Sequence, residues 1–110
     1  MRTIDLLVGD ELGGSLGPRL ARHGPLPVRV IQRVGDVVPD ALLVVSPGEC
    51  SVADCRRLSA DGVDVVVLTE SPRAVEERDY LSAGAAAYVA LIVDELVSER
   101  LLGVLETLAG

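Results

Sequence analysis

The oxygen-bearing side chains that could do chemistry gather at a few points of this sequence. Asp10 and Glu11 stand side by side after a short apolar run, and Thr69 and Glu70 close another. Adjacent carboxylates can hold a hard cation. Such an ion needs several oxygen ligands, and Mg²⁺ usually completes its shell with substrate phosphates. The plain alternative is a set of solvated acids. Ser46 could be a nucleophile or a modification site, but Ser46-Pro47-Gly48 is first of all a chain-reversal signal. Gly9, Gly13, Gly14 and Gly17 would suit a loop that cradles an anion with backbone N–H groups ahead of a helix. A P-loop requires Lys before its Ser, and here Gly14 precedes Ser15. The dinucleotide fingerprint is absent too. One reading is therefore a small-molecule rim built from Asp10, Glu11, Gly13, Gly14, Ser46 and Glu70, with Thr69 beside it. His23 reads as a helix-end residue favoured by the dipole, and no Ser, His and Asp stand at spacings that suggest a triad. Cys50 and Cys55 fit no zinc pattern, since His23 is the only histidine, and they read as reduced thiols. No metal, no cofactor and no enzyme activity are expected.

The bulk properties narrow the choice. A chain of 110 residues makes a single domain, residues 1–110, and its 49% apolar content implies a folded core. Trp and Phe are absent, and Tyr80 and Tyr88 are the only aromatics. The core must be Val, Leu, Ile and Ala, which suits close layers of helix and parallel strand. A net charge of -7, with ten arginines and no lysine, argues against nucleic-acid binding through this segment. No apolar run reaches the roughly 18 residues of a membrane span. The first residues, with Asp5 inside a short apolar stretch, do not read as a secretory signal. A cytoplasmic protein is expected.

Short β-branched runs at Ile4–Val8, Val28–Ile31, Ala41–Val45 and Val63–Leu68 read as buried parallel strands, with a weaker fifth at Ala86–Ala90. Helical patterns lie between them. Pro18–His23 would stop at Gly24, Val52–Ala60 would start from Ser51 and stop at Gly62, and Pro72–Ala83 would start from Ser71 and stop at Gly84. A last helix over Asp94–Leu108 puts Leu96, Val97, Leu101, Val104, Leu105 and Leu108 on one face. Alternating strands and helices predict an open, doubly wound five-stranded parallel α/β sheet. One helix is missing, because only Arg33–Asp40 joins the second and third strands. A parallel crossover usually takes a dozen residues or more, and at ~3.3 Å per residue this link reaches about 26 Å.

The order of elements, LLVGDE after the first strand, VVVLTE at the fourth and AGAAAYVA leading through the fifth resemble the receiver domains of bacterial response regulators. The resemblance covers nearly the whole chain. It implies a flavodoxin-like sheet of order 2-1-3-4-5 with the second helix shortened or missing. It also implies a switch pair at Thr69 and Tyr88. A working receiver resembles a Mg²⁺-dependent phosphotransfer device, with acids after strand one, an acceptor Asp after strand three and a Lys after strand five. Here the positions implied for that site are degenerate. The first acid falls on Gly9, leaving Asp10. The acceptor falls on Val45, or on Ser46 if the register slips, and the Lys position falls on Leu91. Asp40 precedes the third strand and would lie about 16 Å from the site. No arginine lies between Arg78 and Arg100 to stand in for the cation.

The resemblance therefore implies a pseudo-receiver that signals without phosphate. It would act through protein contact or homodimerisation by the last helix or the fourth-helix and fifth-strand face. It would form the N-terminal part of a two-component transcription regulator, with DNA reached only through an effector on another segment. A metabolite-sensing domain is the alternative, because ligands of open α/β sheets bind at the carboxyl ends of the strands.

Overall fold

The computed structural model describes residues 3–24, 26–39, 41–91 and 99–109, with the backbone alone for 10–15. Five strands, β1 (Ile4–Leu7), β2 (Val28–Val30), β3 (Leu42–Val45), β4 (Asp64–Thr69) and β5 (Ala87–Ala90), form one parallel sheet of order β2-β1-β3-β4-β5. This is the expected order. Ile4 lies beside Val28 and Leu42, and Val45 lies between Leu7 and Val67, so all carboxyl ends reach one edge. Helices α1 (Asp10–His23) and α4 (Glu99–Ala109) cover one face, and α2 (Val52–Ala60) and α3 (Ala74–Ser82) cover the other.

Side chains alternate across each strand, so the sheet makes two cores. Ile4, Leu6, Leu42, Val44, Val66, Leu68 and Val89 pack with Leu16 and Leu20 of α1 and Leu101 and Leu105 of α4. Leu7, Leu43, Val45, Val65, Val67 and Tyr88 pack with Cys55 and Leu58 of α2 and Tyr80 of α3. The expected Val104 and Leu108 line the α4 contact, while the proposed start of that helix at Asp94, with Leu96 and Val97, lies outside the described residues.

Helix α2 matches expectation. Ser51 accepts the Asp54 N–H at 3.1 Å while the Asp54 carboxylate accepts the Ser51 N–H, a reciprocal capping box. Gly62 and Gly84 take positive φ (89° and 110°) just past α2 and α3, where other residues would be strained.

Two helix starts differ from the sequence reading. Helix α1 begins at Asp10 rather than Pro18 and carries Gly13, Gly14 and Gly17 inside it. Each interior glycine costs about 1 kcal/mol against alanine. The compensation is tertiary: Leu16 and Leu20 are fully buried, and Gly17 lies close to Val30 and Leu6. Helix α3 begins at Ala74 with Arg73 as N-cap, two residues later than expected, because Tyr88 fixes the Arg73 N–H.

The second helix is replaced by a single 3-10 turn, Val34–Asp36. β2 ends one residue earlier and β3 begins one residue later than expected, which lengthens the link between them to residues 31–41. A polar clasp holds it. Asp5, fully buried in β1, accepts Nε and Nη2 of Arg29 on β2, both at 3.0 Å, and the Val38 N–H at 3.3 Å. Arg29 Nη2 also donates to the Asp36 carbonyl at 2.7 Å.

Asp5 is fully buried while Arg29 is half exposed, and removing the partner of a buried charge costs more than replacing both groups with apolar ones. Arg29→Ala should therefore lower the urea midpoint more than Arg33→Ala, whose ion pair is solvated, and Asp5→Leu/Arg29→Met should recover most of the loss. Equal effects of the two arginine variants would remove the clasp from this account. Ser51→Ala should cost about 1 kcal/mol in the same measurement.

Candidate functional site

The carboxyl edge of the sheet collects the residues that the sequence put forward. Gly9 and Asp10 follow β1, Ser46 follows β3, Thr69 closes β4 and Leu91 follows β5. Gly9 is the N-cap of α1, exposed and without a capping side chain. Gly13 and Gly14 are not in a loop. They lie inside α1, where their N–H groups serve the helix, so the glycine cradle of the sequence reading does not form. The side chains of Asp10 and Glu11 lie outside the described ones, and Glu70 is exposed.

The positions that the resemblance implies for charged groups carry packing. Val45 has no exposed surface and belongs to the core under α2 and α3. Ser46 is half-buried and opens a turn: its N–H donates to the Leu7 carbonyl and its carbonyl accepts the Glu49 N–H. Leu91 donates its N–H to the Thr69 carbonyl at 2.6 Å, while its side chain is buried in the core under α1 and α4. The described donors here fall short of a divalent-cation shell. Gly9 offers no side chain and Val45 an aliphatic one, and among the described residues no three metal-ligating side chains gather.

Polar order is concentrated beside β4 and β5. Thr69 Oγ1 accepts the Ser71 N–H at 3.1 Å. The Tyr88 ring is only 4% exposed. Its hydroxyl donates to Glu76 Oε1 at 2.6 Å and accepts the Arg73 N–H at 3.2 Å. Arg73 Nη2 also reaches Glu76 Oε2 at 3.2 Å. The ring stacks on Tyr80, centroids 6.4 Å apart, and Tyr80 donates to the Cys50 carbonyl at 2.6 Å. Burial, then the hydrogen bond to Glu76, pushes the Tyr88 phenol up. Burial also pushes Tyr80 and the Cys50 thiol up to about 12, and raises Cys55.

Sequence reasoning singled out Thr69 and Tyr88 but missed Glu76, Arg73 and the structural use of Tyr80. The one sequence signal was Glu76 in the first turn of a helix, where an acid is common for dipole reasons alone.

This sheet, with its order and its covering helices, is the fold of response-regulator receiver domains. No family model matches the sequence, and no curated protein is similar to it. Solved structures are similar in fold. The N-terminal FixJ structure covers 99% of this chain and 93% of its own at 17% identity, with TM-score 0.75. A putative pilus assembly protein, CpaE from Burkholderia thailandensis, covers 99% and 98% at 15% identity, with TM-score 0.78. An atypical orphan response regulator, described as having a phosphorylation-independent regulatory mechanism, covers 98% and 94% at 20% identity, with TM-score 0.71. Among the described residues no helix is long and apolar enough to cross a membrane.

The raised Tyr80 phenol has a consequence for stability. Its folded value lies above the unfolded value near 10, so the neutral form is the one the fold favours. The contribution is fully present below pH ~10 and is lost as pH rises through about 12. Denaturant melts should weaken across that window, and Tyr80→Phe should flatten the slope. At neutral pH both buried thiols should resist alkylation until the chain is unfolded.

Proposed function

We propose that residues 1–110 form a single regulatory domain of receiver fold that signals through protein contact without aspartyl phosphorylation. The observation that carries this reading is the identity and burial of Val45 at the acceptor position. Phosphoryl transfer is positioning plus electrostatic stabilisation by metal and cation. In this reading the acceptor carboxylate, the cation and one of the metal ligands are each replaced, with Asp10 remaining. Leu91 stands at the lysine position and points into the core, so its substitution by packing matches that of Val45. The phosphorylation-independent mechanism described for an orphan regulator of similar fold supports the same reading.

The domain would be cytoplasmic. It would act as the N-terminal part of a transcription regulator, passing its state to a DNA-binding effector or to a second copy. The face made by α3, β5 and α4 is the contact surface in this reading. Val75 and Leu81 on α3 are exposed apolar residues, an arrangement that protein contact would relieve.

Incubation with a small phosphodonor and Mg²⁺ should leave the intact mass unchanged; an added phosphate on this chain would overturn the proposal. Sedimentation at tens of micromolar protein tests the dimer. A species of twice the chain mass is expected, and a monomer would remove self-association from the proposal.

A further inference from the structure

Helix α3 starts without a side-chain cap of its own. Its N-cap is Arg73, which offers no capping oxygen, and Glu76 occupies the third helical position. In an ordinary capping box a Glu at that position reaches back to the N-cap N–H. Here a phenol stands between the two. The Arg73 N–H donates to the Tyr88 hydroxyl at 3.2 Å, and the Tyr88 hydroxyl donates to Glu76 Oε1 at 2.6 Å. The capping box of α3 is thus relayed through a side chain that belongs to β5.

We propose that Glu76 is a built-in clamp: it holds the Tyr88 ring buried against Tyr80 and, through the relayed cap, fixes the first turn of α3 in one position. The inference rests on the functional reading above and deepens it. If no charge arrives at Val45 to set the domain's state, the chain's own carboxylate sets it. Three features support the clamp. The phenol–carboxylate bond is short and charge-assisted. Both partners are largely buried, the Glu76 side chain being 17% exposed, so the bond is screened far less than the solvated Arg73 ion pair beside it. The tie continues inward, because Tyr88 stacks on Tyr80 and Tyr80 donates to the Cys50 carbonyl. Tyr80 is also the one fully packed side chain of α3, so the helix has few other anchors.

Amide hydrogen exchange and ring accessibility test this in the full chain. The chain has two tyrosines and no Trp or Phe, which makes the ring signals separable. In Glu76→Ala the Arg73 amide should exchange about tenfold faster or more, the factor set by losing a hydrogen bond to a charged group. The Tyr88 ring should open to a soluble relaxation agent, while the amides of β3 and α2 keep their rates. Glu76→Gln, whose amide oxygen can still accept from the phenol but carries no charge, should fall between the parent and Glu76→Ala. Tyr88→Phe removes the relay from the other side and should accelerate Arg73 by a similar factor, which keeps the test open if Glu76→Ala does not fold. Unchanged Arg73 exchange in both Glu76→Ala and Tyr88→Phe overturns the clamp. So does an acceleration spread evenly over β3 and α2, since that is a general loss of stability. These measurements use protein that has met no phosphodonor. Phosphate uptake would therefore remove the functional reading and leave the clamp standing, whereas a failed clamp would leave the functional reading in place.

Discussion

The ion pair between Asp5 and Arg29 is the interaction on which this version of the fold depends. A doubly wound sheet needs cover on both faces, and the segment between β2 and β3 normally has the length for a helix. Among the described residues of this link, a 3-10 turn stands in place of a helix, and Ile31, Val34 and Val37 are the side chains that join the core on that face. That is little apolar area. Asp5 supplies the remainder electrostatically. From one fully buried position it takes the guanidinium of the neighbouring strand and the N–H of Val38, while the same guanidinium holds the Asp36 carbonyl. Each polar atom of the clasp is satisfied, which is the condition under which a buried charge is tolerated. Asp5 supports Arg29 in turn, raising its affinity for the proton through their hydrogen bond and charge.

The same exchange of charge and packing runs in the opposite direction at the carboxyl edge. An open charged site keeps polar groups at the strand ends and gives up burial there. Val45 and Leu91 restore that burial, one in each core. Full burial of such a side chain is worth about 1.5–3 kcal/mol, and no like-charge repulsion has to be relieved by a bound cation. The edge is therefore closed at these two positions by aliphatic packing. Beside them, Thr69 of β4, Tyr88 of β5, and Arg73 and Glu76 at the start of α3 bond to one another or to backbone.

Much of this was legible in the sequence because it is local. The five strands declared themselves as β-branched runs, and their order followed from the resemblance of the whole pattern to receivers. Ser51, Gly62 and Gly84 marked helix ends by side-chain chemistry and backbone freedom that need no partner. The start of α1 was not legible. Gly13, Gly14, Gly17 and Pro18 all argue for a loop on propensity, and the helix forms because Leu16 and Leu20 must be buried. The clasp was equally hidden. Asp5 read as an acid interrupting an apolar run, and only the pairing of Asp5 with Arg29 across β1 and β2 reveals its use. Glu76 was missed for the same reason: its partner Tyr88 is remote in sequence and belongs to another element.

These cases share a physical logic that bears on how such a domain can carry a signal. The centre of this sheet is rigid, since β1, β3 and β4 are buried on both faces. State must then reside in the elements attached at its carboxyl edge. Of these, α2 closes its own cap with Ser51 and Asp54 and borrows nothing. Helix α3 borrows its cap from β5, and α3 and β5 therefore cannot rearrange independently. A ring that leaves its pocket unties the helix start, and a helix that shifts leaves a phenol and a carboxylate without partners. Such coupling makes a two-position element out of two weakly anchored ones, because intermediate positions satisfy neither hydrogen bond. Its equilibrium can be biased only by something that binds one position better than the other. In the function proposed above, that bias comes from a protein partner at the surface of α3 and β5.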